Sequence, residues 1–412
     1  MLKFGLLGQR LTHSFSPMIH AELAGYEYEL YEKDPEELDA FLRYGDFDGL
    51  NVTIPYKKSV IPYCTALSDT AIATGSVNTL TRLSDRSLYG DNTDCFGFDY
   101  LLKKASVNLV DGKAIILGSG GSSLTARHVL SNSGVKDIVT ISRNGVHNYD
   151  NIHNHSDATM IINATPVGMY PLTGVSPLVN LNIFQKCQTV IDLIYNPAMT
   201  ELLLQAEERG IERVNGLAML VAQAKKSAEC FTGAPIPDEN IEMIVSIIAK
   251  QTSNIILIGM PGCGKTTIGA ELAKKMGREF ADTDECVERV AGKSIPDIFA
   301  QDGEDEFRRL ENDALREICK RSGLVIATGG GIVKRPENLK VIRQNGIIVF
   351  LDRDTAQLPL SGRPLSESEG IAKLASARMP LYEQWSEYTV AVSDIDRTAA
   401  KIIDIFSRRF PT

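Results

Sequence analysis

The chain has 412 residues, 43% hydrophobic and 23% charged, with a formal net charge of −9. That length exceeds what one core holds and predicts two or three domains. The acidic balance argues against a nucleic-acid or membrane surface as partner, and no apolar run reaches the roughly 20 residues of a membrane span.

Residues 1–8 carry too short an apolar run for a secretory leader and read as a first strand. Strand and helix patterns alternate from there on, which predicts parallel α/β layers. Asp34-Pro35-Glu36-Glu37 offers an N-cap, a proline at the first helical position and a Glu three residues after the cap; Gly45 closes that helix. Thr200 and Gly210 bracket another. The seven cysteines are scattered and form no C-x-x-C pair. Neither a zinc site nor a disulfide framework is expected, and a reducing cytoplasm is the natural compartment.

Lys113 to Leu117 is an apolar strand pattern that runs into Gly118-Ser119-Gly120-Gly121-Ser122-Ser123. A helix pattern through Leu130 and a second strand, Asp137 to Ile141, follow. This β-Gly-rich-α-β order is the dinucleotide fingerprint in its required context, with Ser123 where the third small residue belongs. The second strand ends in Ser142-Arg143-Asn144 without a carboxylate. NADP is therefore favoured over NAD, with Arg143 on the 2′-phosphate; the bland alternative is a solvated surface arginine.

A helix pattern ends in the polar residues 249–254, and the domain split is placed at about Gln251. Asn254 to Ile258 reads as a buried strand, Gly259 to Thr267 as a phosphate-binding loop, and Thr267 to Met276 as a helix. Backbone N–H groups of Gly262, Cys263, Gly264 and Thr267 would wrap a polyphosphate. Lys265 would neutralise its outer phosphates, and the Thr266 hydroxyl would hold Mg²⁺. Cys263 reads as a small filler. Phe280 to Asp284 reads as a strand ending in alternate carboxylates, and residues 304–311 as a charged helix, ordinarily a solvated face.

Further stretches make residues 1–250 resemble shikimate dehydrogenase: residues 12–17, 51–57, 76–79, 90–94, 163–169, 192–197 and 216–223. The resemblance implies an α/β substrate lobe (about 1–100 plus the terminal helices) and an NADP-binding Rossmann lobe (about 101–215). It implies Ser14, Ser16, Thr53, Asn78, Tyr195 and Gln223 as holders of shikimate or 3-dehydroshikimate, and Lys57 with Asp94 as the catalytic pair. The glycine-rich loop (Gly118, Ser119, Gly120, Gly121, Ser122), Ser142, Arg143, Thr165, Leu193 and Gly216 would line NADP(H). His13, with no partner cluster around it, reads as a structural loop residue. Ser119, Ser122 and Ser123 depart from a loop usually richer in Gly and Ala, and Ser142 stands where Asn is common.

Residues 252–412 resemble shikimate kinase through the phosphate loop, residues 280–284, 304–311 and 327–331, Gly362-Arg363-Pro364-Leu365 and residues 378–382. This implies a P-loop, parallel α/β kinase domain over 251–412. Asp284, Arg308, Gly330 and Arg378 would bind shikimate, with Asp284 and Lys265 catalytic. Asp282 would support Mg²⁺, Arg363 would close over ATP, and Asp396-Arg397 aligns with an adenine contact. The segment between Asp352 and Arg363 is short for the family's lid.

Together the two resemblances imply a bifunctional enzyme with small-molecule substrates and two nucleotide sites. Three alternatives stay open at this point. The first domain would also oxidise quinate, the chain would be a metabolite-sensing regulator, or the second domain would be a nucleotide or gluconate kinase.

Overall fold

The structure, a computed structural model, describes residues 2–11, 14–105, 112–173, 176–358 and 370–410. It separates into two compact units, Met1–Met169 with Val175–Ile248, and Ala249–Thr412 with Tyr170–Gly174. The division at Ile248/Ala249 falls inside the helix Glu239–Thr252, just ahead of the split expected at Gln251.

The first unit holds two sheets. One contains β1 (Lys3–Gly8), β2 (Glu27–Glu32), β3 (Gly49–Val52), β4 (Cys64–Leu67), β5 (Thr79–Arg82) and β6 (Leu88–Asp91), in the order β2-β1-β3-β5-β6-β4. Among the described strands the expected parallel pairing is interrupted only at β5, which is antiparallel to both β3 and β6. Only Leu83 to Ser87 joins β5 to β6, closed by Leu83 N–H donating to Ser87 O at 2.8 Å. That connection is too short for the crossover a parallel pair needs.

The second sheet is parallel throughout: β7 (Lys113–Leu117), β8 (Asp137–Ile141), β9 (Met160–Asn163), β10 (Thr189–Asp192) and β11 (Glu212–Asn215), ordered β11-β10-β9-β7-β8. Alternate residues face opposite cores. Ile115, Leu117 and Ile161 pack on one face, and Ala114, Ile116 and Ile162 on the other. Burial on both faces is what makes these strands read as unbroken apolar runs. The order reverses between β7 and β9, and a crevice opens there at the strands' carboxyl ends.

The second unit is one parallel sheet, β12 (Asn254–Ile258), β13 (Phe280–Asp282), β14 (Val325–Ala327), β15 (Gly346–Asp352) and β16 (Tyr388–Ala391), ordered β13-β14-β12-β15-β16. The helix after β12 spans Lys265–Met276 and starts two residues before the expected Thr267, because Gly264 at φ 105° turns the chain directly into it. The strand expected over residues 280–284 stops at Asp282. Its side chain accepts the Asp284 N–H at 2.9 Å and caps the helix Thr283–Ala291. Asp284 therefore sits in a helix's first turn rather than on a strand. Asp34-Pro35-Glu36-Glu37 forms a 3₁₀ turn leading into the helix Leu38–Tyr44, with the Glu37 carboxylate accepting from Asp34 N–H at 2.9 Å. Thr200 caps the helix Glu201–Glu208. All seven cysteines are free, and no helix among the described residues is long and apolar enough to cross a membrane.

Candidate active sites

In the first unit, Lys57 follows β3 and Asp94 opens the helix Asp94–Lys104, whose N-terminus favours a negative charge. The Lys57 Nζ donates to Asp94 Oδ2 at 2.5 Å, and both side chains are largely buried. Asn78 Nδ2 donates to the other oxygen of Asp94 at 2.9 Å and to Gln223 Oε1 at 3.2 Å. Asn78 Oδ1 accepts the Thr93 N–H at 2.7 Å. Four of the expected residues are thus held in one bonded cluster. Two more, Ser14 and Ser16, share a hydroxyl bond of 3.1 Å, and the ring of Phe15 between them lies 5.1 Å from that of Tyr195. Burial pushes the Tyr195 hydroxyl's pKa up, keeping it a donor. Thr53, at the end of β3, ties its backbone to Leu7 O at 2.9 Å.

The residues alone did not single out what joins these groups. The Tyr28 hydroxyl donates to Asn51 Oδ1 at 2.8 Å. Asn51 reaches Ser227 at 2.7 Å, and Ser227 reaches the Thr93 hydroxyl at 2.9 Å. A continuous chain of polar groups therefore runs from Tyr28 through Asn51, Ser227 and Thr93 to Asn78 and Asp94. Asn51 opens the 51–57 motif and Ser227 lies one helical turn beyond Gln223; those positions were the available signal.

The residues assigned to NADP line the carboxyl edge of the parallel sheet. At φ 105°, Gly118 leaves no room for a side chain: a Cβ there would meet Thr165 Cγ2 at 2.9 Å and Ala164 O at 3.0 Å. Ser119 and Gly120 are exposed on the loop, Gly121 and Ser122 open the helix Gly121–Asn132, and Ser123 is buried, so its small size serves the helix packing. A Cβ on Gly121 would stand 3.7 Å from Lys57 Cδ, which places the glycine-rich loop beside the lysine–aspartate pair. Thr165 donates to Asn163 Oδ1 at 2.7 Å. Gly216 is pressed against Leu193, whose carbonyl oxygen would lie 2.1 Å from an added Cβ. Ser142 follows β8 directly, and Arg143 beyond it is exposed. A cradle clear of side chains, with an arginine and no carboxylate right after β8, fits a phosphorylated dinucleotide. Below it, burial pushes the Asp192 carboxyl up to about 6, while Thr200, Asn163 and the Ile194 N–H all donate to it.

In the second unit, Lys265 is buried and its Nζ donates to Gly259 O at 2.9 Å and Met260 O at 3.0 Å, holding the phosphate loop closed on itself. Cys263 is fully buried under the loop, as a filler would be. The Thr266 hydroxyl donates to Asp282 Oδ2 at 2.7 Å. One hydroxyl backed by one carboxylate suits Mg²⁺, which keeps waters and phosphate oxygens as its other ligands.

Three glycines after β14 make a floor without side chains. A Cβ on Gly329 would lie 2.6 Å from Asp284 Oδ1 and 2.5 Å from Glu311 Oε1. One on Gly331 would lie 2.1 Å from Arg308 Nη1. Gly330 O accepts from Arg378 Nη1 at 3.0 Å and from the Tyr382 hydroxyl. Asp284 Oδ1, Glu311 Oε1 and Arg378 Nη2 are all buried without a hydrogen-bond partner. Such a gathering is costly unless a polar ligand satisfies it. Burial, helped by the charges of Glu311 and Asp282, pushes the Asp284 carboxyl up to about 7. Arg308, on the helix Gly303–Cys319, is buried rather than solvated and bonds Glu311 Oε2 at 2.6 Å.

Glu311 was not singled out from the sequence. It sits four residues after Phe307 on the buried stripe that continues through Ala314, Leu315 and Ile318, and that spacing was the clue. Arg363 and His13 lie outside the described residues. Arg397 is highly exposed and pairs with Asp394 at 3.2 Å, while Asp396 pairs with Lys275 at 2.9 Å.

Comparison with known proteins agrees with this geometry. Residues 261–406 match the shikimate kinase family, and residues 6–80 match the shikimate dehydrogenase substrate binding domain. A shikimate dehydrogenase (NADP(+)) of Clostridium perfringens is 34% identical over 265 residues, spanning 59% of this chain and 97% of the relative. The crystal structure of shikimate dehydrogenase 1 from Peptoclostridium difficile is similar at 35% identity and a TM-score of 0.56, covering 60% of this chain and 98% of that one. A chorismate mutase/shikimate 5-dehydrogenase fusion protein from Clostridium acetobutylicum is similar at 35% identity and a TM-score of 0.56, covering 60% and 97%. Through its first unit the chain belongs to the shikimate dehydrogenase family, and its second unit carries a shikimate kinase domain.

Proposed function

We propose that the first unit reduces 3-dehydroshikimate to shikimate with NADPH, and that the second phosphorylates shikimate to shikimate 3-phosphate with ATP and Mg²⁺. The observation that carries the first half is the buried Lys57–Asp94 contact of 2.5 Å beside the glycine-rich loop. When bound, the reduced nicotinamide supplies the hydride. Lys57 delivers the proton to the carbonyl oxygen being reduced. Asp94 aims that ammonium, and Asn78, bonded to the same carboxylate, fixes its orientation. Ser14, Ser16 and Tyr195 present hydroxyls suited to a carboxylate, and Gln223 an amide suited to ring hydroxyls.

In the second unit, Arg308 and Arg378 offer two guanidinium groups to the acid's carboxylate. Asp284 orients the attacking hydroxyl and takes up its proton. Lys265 neutralises charge on the transferred phosphoryl group, and Thr266 with Asp282 would hold the magnesium ion that screens the phosphates. Among kinases with a phosphate loop, the unsatisfied pair Asp284 and Arg378 over a floor of glycines favours a small hydroxylated acid as acceptor.

Single substitutions separate the halves. Lys57→Ala is expected to lower reduction on the order of 10³-fold and leave kinase turnover unchanged. Lys265→Ala is expected to do the reverse. Loss of both activities from either change in a folded protein would end the reading of two independent sites.

A further inference from the structure

The strand β15 runs beside β12, with Phe350 opposite Ile258. The end of β15 is therefore next to the start of the phosphate loop; a Cβ on Gly259 would meet Leu351 O at 2.7 Å. One residue past this strand comes Arg353, a partly buried side chain that spans to the other end of the loop. Its Nη1 lies 4.0 Å from the point where a side chain on Gly264 would begin. Gly264 immediately precedes Lys265 and the helix whose N-terminus faces the loop.

Arg353 is unusual in what it lacks. Its Nε is buried with no hydrogen-bond partner, although Asp352 and Asp354 flank it in sequence. An arginine kept only for the fold normally finds acceptors for its buried donors. Lys265, by contrast, is already engaged by two carbonyls of its own loop. The next strand, β16, pairs Ala391 with Asp352, so Arg353 lies just past the carboxyl end of this part of the sheet.

We infer that Arg353 is a nucleotide-contacting residue, its guanidinium binding the phosphates of the nucleotide seated on the Gly259–Thr267 loop. The inference rests on the ATP-dependent reading above and assigns to that site a second cation from the end of β15. A planar guanidinium whose Nε has no partner matches phosphate oxygens in a way that Lys265 as a point charge does not.

The test uses the full chain with Arg353→Gln and Arg353→Lys. Arg353→Gln is expected to raise the KM for ATP at least tenfold and leave the KM for shikimate within twofold, with Arg353→Lys between it and the wild type. Calorimetry with Mg-ADP and with adenosine then locates the contact: Mg-ADP affinity falls at least tenfold while adenosine affinity stays. An ATP KM within twofold of wild type would overturn the inference. So would an equal loss for both substrates, which marks a structural arginine, or an equal loss of adenosine affinity, which moves the contact to the base. A wild-type chain that binds no Mg-ADP would instead remove the kinase reading itself.

Discussion

Gly331→Ala tests the proposed shikimate-binding floor with one methyl group. Gly331 has φ −99° and ψ 1°, which alanine adopts without strain, so any effect comes from space alone. The new Cβ would stand 2.1 Å from Arg308 Nη1 and 2.4 Å from its Cζ. To reach an ordinary contact the guanidinium has to retreat by about 1.2 Å. Its 2.6 Å bond to Glu311 then stretches past hydrogen-bond range. Arg308 is 5% exposed and Glu311 1%, so water does not replace the lost partner. Breaking a buried pair outright costs about 3–5 kcal/mol. Partial relaxation of the helix leaves about 2–3 kcal/mol to be felt by the acid's carboxylate, or roughly 30- to 150-fold in shikimate KM. The assay is steady-state ADP release at varied shikimate. Fluorescence of Trp385, the chain's single tryptophan and buried in the kinase core, verifies the fold. The ATP KM and the reductase activity of the same protein should stay unchanged. A folded variant whose shikimate KM lies within threefold of wild type would refute the placement of Arg308 at the substrate.

Asn78→Ala removes donors to Asp94 and Gln223 and the acceptor for the Thr93 N–H. We expect a loss of about 2–3 kcal/mol in kcat/KM for 3-dehydroshikimate, with kinase kinetics untouched, measured by NADPH absorbance. Asp192 carries a pH prediction. Its folded carboxyl holds a proton up to about 6, whereas the unfolded chain releases it near 3.8. Between those values the folded form binds more protons, so this group's contribution falls as pH rises, by about 3 kcal/mol in all, and is constant above. Asp192→Asn should flatten that part of the stability profile in scanning calorimetry; an unchanged slope would contradict the burial argument.

How much the sequence revealed depended on where the information was local. The strands at 113–117, 137–141 and 254–258 appear at the expected residues, because runs of Ile, Leu and Val bounded by polar residues suit only doubly covered strands. Lys57, Asn78, Asp94 and Gln223 were expected together from a resemblance, and the structure joins them in one hydrogen-bonded cluster. Asp284 was misplaced on a strand because the switch to helix hangs on one hydrogen bond from the Asp282 side chain, which no periodicity reports. The antiparallel β5 followed from a loop length whose consequence depends on neighbouring strands. Glu311 was hidden among charged neighbours until the buried stripe of its helix was seen. Arg353 gave no local signal at all, since only the packing of β15 against β12 brings it to the phosphate loop.

The account's central claim is that the acid formed by the first unit is the phosphate acceptor of the second. Purified protein given 3-dehydroshikimate, NADPH and Mg-ATP, with products resolved by mass spectrometry, tests it most directly. Shikimate 3-phosphate should appear with all three present, shikimate alone should accumulate without ATP, and neither should form without NADPH. Accumulation of shikimate with ATP present and no phosphorylated product would contradict the claim.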